Sequence, residues 1–341
     1  MTTSMRIPDA LDDPVRVELA VQAHGLRKAF GDTVAVDGID LTIPRGIVYG
    51  VLGPNGAGKT TMLSMLATLL SIDSGEAQVF GVDVREHPHV VRQLVGVTGQ
   101  YASVDEKLTG RENLWLFGRL QGLRSPVSRA RADDLLERFG LTAAADRRIS
   151  EYSGGMRRRL DLAASLIMSP PLIFLDEPTT GLDPRTRAQM WDTIRELVSS
   201  GCTVLLTTQY LEEADQLADR IGVIDRGRLV AEGTSDDLKA SVGSSSLQLT
   251  LTRAEQLPLA ADTVARVLGV NPVLSPEAGR LTVPLPRPDA ALDALVDLRA
   301  ADIAIAEMNV AKPSLDEVFL ALTGHTTSSP DDTPTDDVEE G

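Results

Sequence analysis

Gly53-Pro54-Asn55-Gly56-Ala57-Gly58-Lys59-Thr60 fits the pattern G-x-x-x-x-G-K-[ST]. Its residue types suit a phosphate chain. Glycines let the main chain wrap close to an anion, and successive N–H groups turn inward as a nest. The helix that follows adds the positive end of its dipole. Lys59 can reach the β- and γ-phosphates of a nucleotide, the Thr60 hydroxyl can ligate Mg²⁺, and Thr61 lies at the same helix start.

A second group is Leu172-Ile173-Phe174-Leu175-Asp176-Glu177-Pro178, two adjacent carboxylates ending an apolar run. Ligands of open α/β sheets bind at the carboxyl ends of strands. Asp176 is placed there to hold Mg²⁺ and Glu177 to polarise an attacking water. A third group is Tyr152-Ser153-Gly154-Gly155-Met156-Arg157-Arg158-Arg159, which opens a helical pattern over 156–168. Ser153 is expected to cap that helix, and Ser, Gly and a helix N-terminus again make a phosphate receptor. One nucleotide hardly needs two receptors. A sandwich dimer does, with one chain's loop closing over the other's nucleotide.

The elements that must position these groups are legible around them. Residues 46–52, 171–178 and 202–208 read as buried strands, 61–70 and about 190–198 as helices, and 220–233 as a hairpin turning at Asp225-Arg226-Gly227. Near-continuous apolar strands separated by helices predict a parallel α/β sheet covered on both faces. The stretch from about 108 to 166 is helical and Arg-rich, and reads as an inserted subdomain. Residues 241–245 read as a linker. Beyond them, runs at 246–251, 280–285 and 302–308 alternate with period 2, with helical stretches near 261–268 and 289–300. The order β-α-β-β-α-β predicts a small ferredoxin-like α+β domain, closed by a helix at 314–323.

The three motifs, in this order, resemble the ATP-binding-cassette ATPase family over residues 18 to 237. Further positions match. Phe30 sits where the family stacks an aromatic ring on adenine. Gln100 matches the glutamine that links the γ-phosphate and Mg²⁺ to the helical subdomain. Asp183, in Gly181-Leu182-Asp183-Pro184, matches the aspartate of the loop crossing the dimer interface. The resemblance assigns Ser153 and Gly155 to the partner's γ-phosphate, with Gly154 between them in the same nucleotide-binding loop. It implies ATP and Mg²⁺, with Thr60, Gln100 and Asp176 toward the metal, and a head-to-tail homodimer working on a separate membrane permease. Two positions depart from the family pattern. The signature usually starts with Leu where this chain has Tyr152, and Gln209 stands where the family has histidine. An amide can donate an N–H to a γ-phosphate but cannot take up a further proton or a positive charge at neutral pH. Gln209 is therefore expected to position, leaving Glu177 as the base and Lys59 as the cation. Gln209-Tyr210-Leu211-Glu212-Glu213-Ala214-Asp215 and the run at 314–324 narrow the resemblance to the daunorubicin-resistance type of ATP-binding subunit from antibiotic exporters.

The fold class follows: a P-loop α/β cassette with an inserted helical subdomain, then a small α+β domain. The expected division is a flexible arm at 1–16, a cassette at 17–237 with its helical subdomain at about 100–167, a linker at 238–245, the small domain at 246–324 and a disordered acidic tail at 325–341. Of 341 residues, 43% are hydrophobic and 24% charged, so a sizeable core is available. With 33 Lys+Arg against 49 Asp+Glu the net charge is −16, which argues against a broad nucleic-acid footprint. Six acids (Asp331, Asp332, Asp336, Asp337, Glu339 and Glu340) lie in the last 17 residues. A single cysteine, Cys202, excludes an intrachain disulfide. The polar, acidic start does not read as a signal peptide, and no apolar run approaches the ~18 residues of a membrane span. The expected location is the cytoplasmic face of the membrane. Two other readings share the motifs: a soluble cassette ATPase acting on nucleic acid or ribosomes, and a regulatory module that holds ATP without hydrolysing it.

Overall fold

The computed structural model describes residues 19–99, 104–242, 245–275, 279–285, 289–311 and 314–323. The arm at 1–16, Gln100, Gly324 and the tail at 325–341 lie outside them. The described chain divides into two compact units, 19–234 and 235–323.

The first unit opens with a long hairpin, β1 (Leu19–Phe30) and β2 (Thr33–Pro44), followed by β3 (Val48–Leu52) and α1 (Lys59–Leu66). β4 (Ser74–Val79), β5 (Val82–Asp83), α2 (Pro88–Leu94) and β6 (Val95–Thr98) lead into the helical region. That region holds α3 (Gly110–Leu120), α4 (Ser125–Arg138) and α5 (Gly154–Ser165). β7 (Leu172–Asp176), α6 (Pro184–Ser199), β8 (Thr203–Thr208), α7 (Leu211–Leu217), β9 (Arg220–Asp225) and β10 (Arg228–Gly233) complete it.

The central sheet runs β10-β9-β3-β8-β7-β6, parallel throughout except for the β9–β10 hairpin. Its inner strands β3, β7 and β8 are buried along their whole length, without alternation, because both faces are covered. Along β7, Ile173 and Leu175 enter a core shared with α5 and α6, while Leu172 and Phe174 enter one shared with α1 and the β1–β2 hairpin. Parallel pairing brings the carboxyl ends of β3, β7 and β8 to one edge. A second, antiparallel sheet of order β2-β1-β4-β5 packs in the α1 core.

The second unit contains α8 (Ser235–Val242), β11 (Ser246–Leu251), α9 (Leu257–Leu268), β12 (Val273–Ser275), β13 (Arg280–Pro284), α10 (Ala290–Ala300), β14 (Ile305–Ala311) and α11 (Leu315–Thr323). The order β-α-β-β-α-β is the expected one, in an antiparallel sheet β12-β13-β11-β14. Leu247, Leu249, Leu281 and Val283 alternate onto α9 and α10.

Two segments differ from the expected division. The segment read as a linker from 238 is the body of helix α8. Asp236 and Asp237 occupy its first turn, where negative charge complements the helix dipole, and Leu238 is buried. The serines that suggested a linker come only after those helix-forming contacts. The last strand also starts later than its alternation indicated, at Ile305 rather than Asp302, which has φ +55° just after α10.

Candidate active site

The phosphate loop joins β3 to α1. Gly53 donates its N–H to the Thr208 carbonyl at 3.3 Å, Ala57 closes a turn onto Pro54 O at 3.2 Å, and Ala57 O accepts from Gly227 N at 2.9 Å. Gly58 is the N-cap of α1 at φ +103°, and a Cβ there would lie 2.2 Å from the Ala35 carbonyl oxygen. Only glycine fits, and glycine brings no side chain to cap the helix. The first N–H groups of α1 have no partner within the helix, so the loop presents bare donors beside a lysine. Asn55 and Gly56 are exposed at the tip, Pro54 and Thr61 half-buried.

Lys59 is almost fully buried and folds back, donating to Gly53 O at 2.8 Å and Pro54 O at 3.1 Å. Its Nζ lies 3.6 Å from Glu177 Oε1. Burial pulls the ammonium below the usual lysine range, while Glu177 and Asp176 act in the opposite direction. Thr60 Oγ1 reaches both Asp176 oxygens at 2.9–3.0 Å, and Thr207 Oγ1 donates to Asp176 Oδ1 at 2.5 Å. A hydroxyl and a buried carboxylate therefore converge beside the bare donors. This donor set fits Mg²⁺, which favours oxygen ligands, and leaves room for phosphate oxygens and water. Among the described residues no group of three His, Cys, Asp or Glu side chains is placed to hold a metal ion.

Glu177 follows β7 with φ +48°, a conformation costly for a residue with a Cβ. Its N–H donates to Thr207 O and Thr207 Oγ1, both at 3.1 Å, and Thr180 Oγ1 donates to Glu177 Oε2 at 3.3 Å. Glu177 lines a cleft of about 680 Å³, together with Asn55, Gly154, Arg158, Asp161 and Gln209. The cleft brings the phosphate-loop tip, the start of α5 and the end of β8 to one space.

Ser153 caps α5, its Oγ accepting from Met156 N at 3.3 Å. Tyr152, in place of leucine, sets its hydroxyl on the Ala144 carbonyl at 2.7 Å inside the helical region. A Cβ on Gly155 would stand 2.4 Å from Thr186 Cγ2. Thr186 in turn donates from its N–H and Oγ1 to Asp183, the N-cap of α6, and these bonds hold the Asp183 carboxyl below the usual range. Asp183 and the start of α5 are thus neighbours, though thirty residues apart in sequence.

Phe30 ends β1 with its ring about half exposed and Lys28 Nζ 5.7 Å from the centroid.

Two side chains escaped sequence reading. Arg158 donates to the carbonyls of Gly99, Asp176, Glu177 and Pro178 at 2.6–3.0 Å. Glu213 is fully buried, takes a hydrogen bond from Trp191 Nε1 at 3.3 Å, and has its carboxyl pushed up by desolvation. A run of three arginines gives no sign of which one turns inward, and Glu213 is one of two adjacent glutamates on a short helix.

Residues 36–180 match the ABC transporter family, and residues 233–323 match the ATP-binding protein DrrA1-3-like C-terminal domain. The chain is 54% identical over 306 residues to the daunorubicin/doxorubicin resistance ATP-binding protein DrrA of Streptomyces peucetius, covering 90% of this chain and 93% of that one. It is 35% identical over 309 residues to the linearmycin resistance ATP-binding protein LnrL of Bacillus subtilis, covering 90% and 99%. Among solved structures, a dimeric ATP-binding cassette in a post-hydrolysis state with ADP and Pi is similar with a TM-score of 0.58 at 25% identity, over 63% of this chain and 98% of that one. With the phosphate loop, the paired carboxylates and the capped signature helix on one edge of its sheet, the chain belongs to the ATP-binding proteins of ABC transporters, in the branch that carries the DrrA-type C-terminal domain.

Proposed function

We propose that this chain is the energy-supplying subunit of an exporter that moves a drug-like antibiotic through a separate membrane permease. As an ABC-type ATPase it hydrolyses ATP to power transport. The resistance names of its relatives support an exported drug. No helix among the described residues is long and apolar enough to cross a membrane, so the translocation path falls to a partner. The subunit works at the cytoplasmic face.

One observation carries the catalytic reading: Lys59 Nζ stands 3.6 Å from Glu177 while Thr60 and Asp176 meet beside it. Phe30 stacks on adenine. Residues 53–61 wrap the phosphates, and Lys59 exchanges its loop-carbonyl partners for phosphate oxygens. Thr60, Asp176 and Gln100 hold Mg²⁺, which supplies charge neutralisation across the phosphates when bound. Glu177 takes the proton of the attacking water, and Gln209 orients the γ-phosphate with its amide. Ser153, Gly154 and Gly155 present the start of α5, and Asp183 the start of α6, to the nucleotide of a second copy in a head-to-tail homodimer.

The export reading is tested by deleting the chain from its host and restoring either wild type or Lys59→Ala. Daunorubicin accumulation is then measured. Wild type is expected to lower accumulation and Lys59→Ala to leave it at the deletion level. Equal accumulation in all strains contradicts export of this drug class and leaves the ATPase reading to turnover measurements.

A further inference from the structure

Three consecutive arginines follow the start of α5, and they serve different places. Arg157 bonds Glu106 Oε1 at 2.9 Å and Ser150 O at 3.3 Å, and Arg159 bonds Phe139 O at 3.2 Å, all within the helical region. Arg158 turns the other way. Its Nε donates to Pro178 O at 3.0 Å, its Nη1 to Gly99 O at 2.6 Å, and its Nη2 to Asp176 O at 2.8 Å and Glu177 O at 3.0 Å.

These acceptors surround the one peptide of the site that must be forced. Glu177 has φ +48°, a conformation costly for a non-glycine residue unless its surroundings impose it. Its N–H is fixed by Thr207. Its carbonyl, and those of the residues on either side, are fixed by Arg158. The fourth acceptor, Gly99, is the last described residue at the end of β6. A planar fork with five N–H donors can span such a set; an ammonium cannot.

We infer that Arg158 is a positioning residue for Glu177: it pins the Glu177 backbone from α5, so that the carboxylate stays aimed into the cleft and a shift of α5 is carried to it. The inference rests on the reading of Glu177 as the base. Arg158 touches main-chain oxygens and needs no contact with nucleotide, so its loss acts on the chemical step and spares nucleotide affinity.

The test is a double-mutant cycle on the full chain, with steady-state ATP turnover and fluorescent-nucleotide affinity measured for wild type, Arg158→Ala, Glu177→Gln and the pair, and Arg157→Ala as neighbour control. A misplacement of catalytic geometry by about 1 Å can cost about a hundredfold. Arg158→Ala is expected to lower kcat about tenfold to a hundredfold with affinity within about twofold, and Arg158→Lys to recover part of that loss. In the Glu177→Gln background the same change is expected to alter residual turnover by less than about twofold, because residues acting as a unit are non-additive. An equal fold-loss in both backgrounds overturns the inference, as does wild-type kcat in Arg158→Ala. If Arg158→Ala does not fold, Arg158→Lys and Arg158→Gln complete the cycle. Wild-type turnover in Glu177→Gln alone instead defeats the reading of Glu177 as base.

Discussion

The two units bury different things. The cassette buries Lys59, Asp161, Asp176, Glu213 and a set of threonines at strand ends. In the C-terminal unit, Thr263 is the one buried polar side chain among the described residues, and its hydroxyl is spent on the Leu259 carbonyl of its own helix. Buried charge costs free energy unless it is paired, so a fold keeps it where it is used. The second unit instead packs an apolar interior, with Leu247, Leu249, Val264 and Leu298 all fully buried.

Substitutions can break or sharpen that contrast. The largest expected effect is at Lys59. Removing a donor aimed at developing phosphate charge costs about 10²–10³ in rate, so Lys59→Ala is expected to lose ATP turnover by at least that factor in a coupled phosphate-release assay. Gln209 comes next. A lost hydrogen bond to a charged group is worth about 1.5–3 kcal/mol, or about tenfold to a hundredfold. Gln209→Ala is expected to lose that much turnover and Gln209→His to keep most of it; unchanged turnover in Gln209→Ala removes its positioning role.

In the C-terminal unit the expectation reverses. Leu298→Ala deletes a fully buried side chain and should cost about 2–5 kcal/mol in denaturant unfolding of that unit, with kcat unchanged. A fall in kcat there would break the division of labour. The smallest effect is at Glu213. Desolvation raises its carboxyl above the ordinary value of 4.5, against Trp191 and Arg187 beside it, so the folded chain holds the proton more firmly than the unfolded chain. Stability from the neutral acid is complete below that ordinary value and declines as pH rises toward the folded-state value. Glu213→Gln cannot titrate, so its melting temperature relative to wild type is expected to rise as pH climbs above the ordinary carboxyl value of 4.5. A difference independent of pH contradicts the assignment.

Legibility in the sequence follows the same contrast. The phosphate loop and Asp176-Glu177 could be read because their chemistry demands fixed residue types at fixed spacing beside a buried strand. The β11–α9 and β13–α10 pattern was readable because one buried face leaves a period-2 or helical signature. Arg158 and Glu213 were not readable: their roles depend on which neighbour they turn toward, and an arginine in Arg157-Arg158-Arg159 has no local mark of direction. The antiparallel β2-β1-β4-β5 sheet was missed because its bulged hairpin breaks the alternation, with register shifts near Ala23–Leu26 and Lys28–Ala29. Helix α8 was missed because serines at 241 and 244–246 outweighed Leu238.

Glu177, held in a strained turn at the end of β7 and 3.6 Å from Lys59, is the residue we propose for the proton transfer of ATP hydrolysis. General-base catalysis contributes about 10²–10⁴ in rate. The most direct measurement is single-turnover hydrolysis by Glu177→Gln at saturating ATP and Mg²⁺. Bound ATP is expected to be retained and the chemical step to slow by at least about a hundredfold. Release of phosphate at the wild-type rate would contradict that role for Glu177.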